Sequence, residues 1–442
     1  MLKNPLSALL AAGALGLAAL SAPAATAGDI VISPQIPYDV TLPSNADSAT
    51  TQRAYNVYSW NLFIATNWVA SQAMRGEADT GKPFSAPGPR VWETYKDTAE
   101  VFTTPPTLPT TWNEWSEEVP SYCTDSGTAG KGLNNPVFAE IGKQTPVIDG
   151  TVQPMSGKLG YLVDQNGKRV WIDVRMNKPA FDFIYDNKYY DANVQNAAKR
   201  TLLFPVSGDN ATRTVGPINI KPAWKVMGPG DDPSKFYTRD AYLVDAAAGK
   251  CEKALVGLVA FHYTVKTTSA RQWIWGTFEH KDNAPSCATW DYNNPKSTCT
   301  IDWKQAHYSF ANPNCPTCAM NALPTPETAN TPVQVVRIIP IPDEVKALNA
   351  EAAALLKGTV WENYELLNTQ FPSDPSQLYG NPWPTALANA ALETYNQGTT
   401  PWTQTSSCLG CHFLAPTTAQ PYGNYFADFD FQFAHAKPFP AK

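Results

Sequence analysis

The residues best suited to do chemistry lie near the C-terminus, where residues 408–412 read C-L-G-C-H. In a C-x-x-C-H motif, two thiols can form thioether bonds to one porphyrin while the adjacent imidazole ligates its iron. Two serines precede the motif and predict a helix N-cap, so a short helix should present the three groups on one side. The motif therefore predicts one covalently bound haem c, attached through Cys408 and Cys411, with His412 as the proximal iron ligand.

The second axial ligand is harder to assign from the sequence. Only residues 413–442 follow the motif, and none of them is methionine, so a small cytochrome c domain with a downstream methionine ligand does not fit. A sixth ligand would have to come from His435 or from the large upstream region. A methionine from that region is also a candidate ligand, but no sequence spacing favours one methionine over another.

Two upstream histidines lie on a predicted β-hairpin. Residues 255–266 alternate as a strand does, and residues 271–280 predict a second strand after a four-residue turn. In that register His262 stands opposite Trp275 and His280 points to the other face, so only one of these histidines can face a haem.

The hairpin supplies the candidate distal and catalytic residues. His280 and His262 are candidate distal ligands, and Glu279 or His280 is a candidate proton donor in a substrate pocket. The competing interpretation is a core hairpin whose histidine is simply hydrogen-bonded.

The N-terminus predicts export. Lys3 is followed by an uncharged Ala- and Leu-rich stretch over residues 5–20, and residues 25–27 read A-T-A. These features are typical of a secretory signal peptide that is cut near Ala27, and the apolar run is shorter than the roughly 20 residues of a spanning helix. We therefore expect a periplasmic protein with no stable membrane insertion after cleavage.

Composition excludes one class of partner. The 442-residue chain has a formal net charge of −6, with 33 basic and 39 acidic residues. No run of five or more like charges occurs, so the sequence offers no basic surface to phosphates, and we expect no nucleic-acid partner.

Six further cysteines allow three interpretations. In an exported protein, structural disulfides are favoured, a redox-active pair at Cys315 and Cys318 is the second interpretation, and a zinc site that includes His307 is the third. Six cysteines allow fifteen pairings, and the sequence does not choose among them. The six are Cys123, Cys251, Cys287, Cys299, Cys315 and Cys318.

The remaining patterns predict an α+β fold that is mostly β. Apolar residues at helical spacing from Trp60 to Trp68 predict an early helix, and residues 343–357 predict a second helix that ends at Gly358. Residues 360–371 fit a strand or a helix. Short runs rich in β-branched and aromatic residues predict further strands at 158–163, 169–175, 201–206, 237–244 and 333–339.

These elements suggest three parts in the chain. We expect a signal peptide over residues 1–27, a large β-rich body over 28–342, and a loop-rich, partly helical haem-binding segment over 343–442 that packs on the body.

The sequence resembles a bacterial family of exported monohaem proteins known as cytochrome c family proteins. The similarity extends over most of the mature chain and implies haem attachment at Cys408 and Cys411 with His412 as proximal ligand; it implies no substrate. It rests on residues 59–68, 91–97, 272–285, 406–412 and 427–429.

Two functions follow from a single haem in a chain of this size. The first is electron transfer with a periplasmic redox partner. The second is a haem-dependent oxidoreductase, peroxidase-like or oxygenase-like, which acts on a small-molecule substrate at an open distal site. A protein whose haem senses a ligand is a third possibility.

Overall fold

The computed structural model describes most of the chain after the predicted leader. The described residues are 29–115, 123, 137–138, 162–245, 249–288, 299–325, 327–328, 330–374, 377, 381–397, 406–417 and 425–440. The predicted signal peptide lies outside this set. Within it, no helix is both long enough and apolar enough to cross a bilayer.

The described residues form six α-helices, one large sheet and one two-stranded sheet made of β9 and β10. The helices are α1 (Ser48–Thr66), α2 (Thr98–Val101), α3 (Lys178–Asp186), α4 (Ala192–Ala198), α5 (Asp343–Leu355) and α6 (Cys408–His412). The strands are β1 (Lys96–Asp97), β2 (Val137–Phe138), β3 (Trp171–Ile172), β4 (Arg175–Met176), β5 (Ile218–Val226), β6 (Thr238–Asp245), β7 (Lys250–Thr267), β8 (Ala270–His280), β9 (Ser286–Cys287), β10 (Ile301–Asp302), β11 (Tyr364–Pro372) and β12 (Pro382–Trp383).

Ten of these strands form a single sheet in the order β1-β4-β5-β7-β8-β11-β12, with β3 on β5, β6 on β7 and β2 on β6. The long central strands β5, β7, β8 and β11 are antiparallel neighbours. The predicted β-rich α+β class is confirmed. Because β11 lies inside the sheet, the chain beyond residue 343 contributes to the body as well as to the motif-bearing segment.

One face of the sheet is covered by α1. Asp47 caps this helix by accepting a hydrogen bond from the Thr50 backbone N–H at 2.7 Å. Phe63 stacks on Phe278 of β8 with ring centroids 4.3 Å apart, and Trp60 meets the same ring edge-on at 4.9 Å. The predicted early helix and its buried face are confirmed, although Trp68 lies beyond its end.

The hairpin of β7 and β8 is confirmed, but its register changes along its length. At the turn Thr267 pairs with Ala270, as a four-residue turn requires, and an irregularity next to this pair then shifts the register by two residues. His262 consequently stands opposite Thr277 rather than Trp275. A two-residue shift preserves the face, so His262 and His280 still point to opposite sides of the sheet.

Of the other predicted helices and strands, some are confirmed and others are wrong. Residues 343–357 contain α5, and residues 360–371 contain a 3-10 turn followed by β11. The predicted strands over 201–206 and 333–339 are wrong, because these stretches are irregular apart from an isolated bridge between Arg337 and Ser286. Of 158–163, residues 158–161 lie outside the described set.

The six upstream cysteines pair as disulfides, as favoured for an exported chain. The pairs are Cys123–Cys251, Cys287–Cys299 and Cys315–Cys318. Their Cα atoms lie 5.2, 5.3 and 5.4 Å apart, within the usual disulfide range. Cys408 and Cys411 belong to none of these pairs.

Candidate functional site

The C-x-x-C-H motif forms the short helix α6. Ser407 is its N-cap and accepts a hydrogen bond from the Gly410 N–H at 3.1 Å, which confirms the predicted cap. Gln370 of β11 accepts the Leu409 N–H at 2.8 Å, and its amide nitrogen donates to the Pro384 carbonyl at 2.7 Å. A buried side chain of the central sheet therefore holds the first turn of the motif helix in place.

The His412 imidazole is oriented by a backbone carbonyl. Its Nδ1 lies 2.8 Å from the carbonyl oxygen of Phe429, and since a carbonyl can only accept, Nδ1 must donate. The lone pair is then left on Nε2, the nitrogen used by a histidine that ligates a metal through this tautomer. Trp275 and Phe431 flank the ring with centroids 4.5 and 5.0 Å away.

The loop that supplies this carbonyl has an unusual backbone. Asp428 and Phe429 have φ values of 48° and 67°, in the left-handed region that non-glycine residues rarely occupy. Two such residues in succession need support from their surroundings, and strain of this kind clusters at functional sites. The support comes from Asp428, whose buried carboxylate pairs with Lys266 and accepts the Phe204 N–H at 2.8 Å.

His412 opens onto a cleft that contains about 770 Å³ of space, part of it open to solvent. The floor is one face of the sheet, on which two cross-strand rows of side chains run over β5, β7 and β8. The floor residues are Asn219, Lys221, His262, Thr264 and Trp275, and the walls include Thr98, Phe429, Asp430, Phe431, Gln432 and His435.

Burial perturbs two titratable groups of the cleft wall. Desolvation raises the pKa of Asp430 to about 6, against the lowering effect of hydrogen bonds from Gln432 and Asn219. Desolvation lowers the pKa of His435, and the positive charges of Lys437 and Lys221 add to this effect. A carboxyl that stays protonated in mild acid and a neutral imidazole therefore face the same space.

The floor histidine has a carboxylate partner. His262 Nε2 lies 3.3 Å from Glu393 Oε2, and both side chains are nearly buried. The ring N–H is not aligned with the oxygen for a hydrogen bond, so the two groups are in close contact without one.

His280 lies outside the cleft, on the opposite face of the sheet. Its Nε2 donates to the Lys235 carbonyl at 3.0 Å and its Nδ1 accepts the Asp282 N–H at 3.1 Å, so both ring nitrogens are occupied. The ring is buried and stacks on Phe236 at 3.8 Å, and desolvation lowers its pKa to about 4. In this position His280 fits the interpretation of a hydrogen-bonded core histidine.

Glu279 also lies outside the cleft lining. Its carboxylate binds the buried guanidinium of Arg337 through one oxygen and accepts the Ala390 N–H at 3.1 Å through the other. Glu365 lies 3.2 Å from the same guanidinium. Glu279 therefore connects two segments of the core.

The other candidate ligands are distributed elsewhere. None of the described methionines lines the cleft, and His307 lies beside Asp231 at 3.3 Å in a different part of the molecule. Among the described residues, no group of three or more His, Cys, Asp or Glu side chains could hold a metal ion by itself.

Sequence reasoning missed most of what surrounds His412. Phe429 and Asp430 come from a loop without hydrophobic periodicity, and so does Glu393, which contacts His262. Only the short stretch 427–429, one of the segments of the family resemblance, indicated the loop that carries Phe429. Comparisons of the chain with protein-family models, with curated proteins and with solved structures find no match.

Proposed function

We propose that this chain is an exported c-type haem protein that carries out electron transfer through one haem bound to Cys408 and Cys411. In this proposal His412 is the proximal ligand, and the protein belongs among the exported monohaem proteins that its sequence resembles. Its partner is a redox protein of the periplasm. No nucleic acid and no membrane-spanning segment take part.

The observation that carries the proposal is the hydrogen bond from His412 Nδ1 to the Phe429 carbonyl. A histidine that ligates a metal commonly donates its second ring N–H to a carbonyl or carboxylate, which fixes the tautomer and raises the basicity of the ligating nitrogen. Here the carbonyl is presented by two left-handed residues that are supported by a buried ion pair. This is more local organisation than an ordinary surface histidine requires.

The residues of the cleft fit a bound group. The Trp275 Nε1 and Asn219 Oδ1 atoms are buried and have no hydrogen-bond partner in the described part of the chain. A buried polar atom left unpaired costs about 1–3 kcal/mol, so a missing ligand or water is its usual explanation. Cys408 and Cys411, both half-buried, lie on the same short helix as His412, which is the residue of the motif that lines the cleft. When bound, a haem at this place supplies a one-electron iron couple.

The cleft also bears on the alternative function. Of the histidines considered as a sixth ligand, His262 and His435 line the cleft with His412, whereas His280 does not. If neither of the two ligates the iron, the proposal becomes that of a haem-dependent oxidoreductase with a small-molecule substrate. The observation that favours this alternative is the close contact of Glu393 with His262, which lies on the cleft floor.

The test is spectroscopic. The full chain is expressed with its own leader in a host that matures c-type haem, and the purified protein is examined as the pyridine haemochrome. We expect one haem for each chain, bound through two thioethers, and loss of normal attachment in Cys411→Ala. A wild-type protein that carries no covalent haem would overturn the proposal.

The same sample distinguishes the two functions. A low-spin ferric spectrum that is indifferent to carbon monoxide after reduction and to peroxide means two protein ligands, and supports electron transfer. A high-spin spectrum that responds to both supports the oxidoreductase. In the low-spin case, His435→Ala and His262→Ala identify the ligand, because only the true ligand converts the spectrum to high spin.

A further inference from the structure

The Cys315–Cys318 disulfide differs from the other two in its exposure. Cys318 is exposed to solvent and Cys315 is half-buried. Each of the other disulfides contains one nearly inaccessible cysteine, Cys123 with 2% and Cys287 with 3% of its surface exposed. The attack of a thiolate on a disulfide depends on access to one of its sulfur atoms. Of the three disulfides, Cys315–Cys318 therefore offers the most accessible cysteine to an incoming thiolate.

The loop that carries this disulfide is closed at its base by hydrogen bonds. The side-chain oxygen of Gln334 accepts the Asn312 N–H at 2.8 Å. Its amide nitrogen donates to the Asn312 carbonyl at 3.2 Å and to the Cys315 carbonyl at 3.1 Å. On the other side of the loop, the Asn321 N–H donates to the backbone carbonyl of Gln334 at 2.8 Å. One residue thus holds both ends of residues 312–321.

A second anchor holds the far end of the same loop. The buried side chain of Asn321 accepts the Val336 N–H at 3.0 Å and donates to the Val336 carbonyl at 3.0 Å. Because none of these hydrogen bonds involves a sulfur atom, reduction of the disulfide leaves them in place and keeps the two thiols close together. A structural disulfide joins segments that would otherwise separate, whereas this one joins positions that the loop already holds together.

The short spacing also makes this disulfide the easiest of the three to reduce. By thermodynamic linkage, a disulfide stabilises the folded state by the same free energy by which folding stabilises the disulfide against reduction. In the chain-entropy description this free energy is smallest for the shortest loop. Cys315 and Cys318 lie 3 positions apart in the sequence, against 12 and 128 positions for the other pairs. Folding therefore protects this pair least.

We propose that Cys315 and Cys318 form a thiol–disulfide exchange site whose reaction partner is a protein dithiol. A thiolate of the partner attacks Cys318 Sγ, an intermolecular S–S bond forms, and the Cys315–Cys318 bond breaks. Cys315 leaves as a thiolate and takes up a proton from water.

The second step completes the exchange. The other thiol of the partner loses its proton and attacks the partner's own sulfur in the mixed disulfide, which releases Cys318 as a thiolate that is then protonated. Two electrons and two protons thus pass from the dithiol to the disulfide. This site is additional to the proposed haem, since neither cysteine lines the cleft of His412.

Trapping of the mixed disulfide tests the proposal on the native full chain. The probe is a thioredoxin variant that keeps only its attacking cysteine, so that the second step cannot occur and the adduct accumulates. Peptide mapping by mass spectrometry without reductant then locates the new bond. We expect it at Cys318, about tenfold more often than at any cysteine of the two less accessible disulfides, which serve as internal controls. Absence of an adduct, or adducts spread evenly over the three disulfides, would overturn the proposal.

Gln334 provides a second test, on the loop itself. When the reduced wild type is reoxidised by glutathione disulfide, the Cys315–Cys318 bond should form with little glutathione adduct, because the loop holds the thiols together. Gln334→Ala releases the loop ends and should raise the amount of adduct about tenfold by lowering the effective concentration of the thiols. Gln165→Ala is the matched control, because Gln165 donates to the neighbouring Val333 carbonyl at 2.6 Å instead. Equal amounts of adduct in wild type and Gln334→Ala would overturn the argument that the loop holds the reduced pair, and with it the proposal.

The readouts separate this proposal from that of the haem. Peptide mapping reports on Cys315 and Cys318 whether or not a haem is bound, and the same digest shows the state of Cys408 and Cys411. The trapping experiment needs no substitution in this chain, so it decides the proposal even if Gln334→Ala does not fold.

Discussion

His262 and His280 lie on the paired strands β7 and β8 and point to opposite faces of one sheet. The face of His262 forms the floor of the cleft that contains His412. The face of His280 is covered with aromatic rings, and His280 itself lies between Phe236 and Tyr364. One hairpin thus provides one histidine for the cleft and another for the core.

The buried position of His280 predicts a pH-dependent stability. Its folded-state pKa of about 4 lies below the ordinary value of 6.5, so between these values the unfolded chain binds more protons than the folded one. This residue should make the free energy of unfolding fall by about 3 kcal/mol as the pH drops from 7 to 4. Urea unfolding at several pH values should show that His280→Asn removes this component. An unchanged pH profile in the variant would show that the folded state does not hold the residue neutral.

Asp430 should also make the free energy of unfolding depend on pH between about 4 and 6, but with a sign opposite to that of His280. Its pKa is raised from 3.8 to about 6, so the folded chain binds the extra proton, and the stabilisation is present below pH 4 and is lost as the pH rises through 6. In Asp430→Asn the loss of about 2 kcal/mol between pH 4 and 6 should disappear. The variant should therefore gain stability with pH more steeply than the wild type in the same urea series. A variant curve parallel to the wild type would contradict the burial of a protonated carboxyl.

Glu279 should be a structural residue rather than a proton donor to a substrate. Glu279→Gln removes the main carboxylate partner of the buried Arg337, and leaving a buried charge without its partner costs about 3 kcal/mol. Chemical denaturation should show this loss, while the visible spectrum of the haem-loaded variant stays that of the wild type. Glu365→Gln is the control, because this partly exposed carboxylate is the secondary partner and its removal should cost less. A changed spectrum in Glu279→Gln would return this residue to the site.

Local patterns were sufficient for the elements whose periodicity and end signals agree. Helix α5, the N-cap of α6 and the hairpin of β7 and β8 could all be predicted, because their signals lie within a few residues of each other. The hairpin register was correct at the turn and wrong beyond it. An irregularity that shifts the register by two residues depends on packing across the sheet, which no pattern within the two strands records.

The surroundings of the site could not be predicted for a related reason. The motif at residues 408–412 is a local signal, but Phe429 and Asp430 reach the cleft from a loop, and β5 brings Lys221 and Asn219 from far along the chain. Loops carry turn residues rather than a hydrophobic period, so their tertiary contacts are invisible to periodicity. The stretches over 201–206 and 333–339 are rich in β-branched and aromatic residues but form no strand, although residues 335–338 are buried. Composition alone therefore does not show whether such a stretch has a partner strand.

The three disulfides should contribute unequally to stability. In the chain-entropy description, the stabilisation of the folded state by a disulfide grows with the length of the loop that it closes. Cys123–Cys251 spans 128 residues, whereas Cys315–Cys318 spans 3. Replacing Cys123 and Cys251 together by alanine should lower the free energy of unfolding by about 5 kcal/mol, and replacing Cys315 and Cys318 together by about 2 kcal/mol. Unfolding by denaturant in the absence of reductant gives both values. Equal losses would mean that local packing, rather than loop closure, sets the contribution of these bridges.

Asp428 should control the orientation of His412 without touching it. Asp428→Asn keeps the shape of the side chain and tolerates the left-handed backbone, but it removes the charge that pairs with Lys266 and supports the loop carrying the Phe429 carbonyl. A looser carbonyl accepts a weaker hydrogen bond from His412 Nδ1, which makes the imidazole a poorer electron donor to iron. In the haem-loaded protein the midpoint potential should therefore rise, with the haem content unchanged.

Lys266→Met removes the same ion pair from the other partner and should move the potential in the same direction. Asp430→Asn is the comparison, since its carboxyl faces the same cleft but pairs with Asn219 and Gln432 instead of supporting this loop. A potential that is unchanged in Asp428→Asn and Lys266→Met would mean that the loop holds its carbonyl without this ion pair.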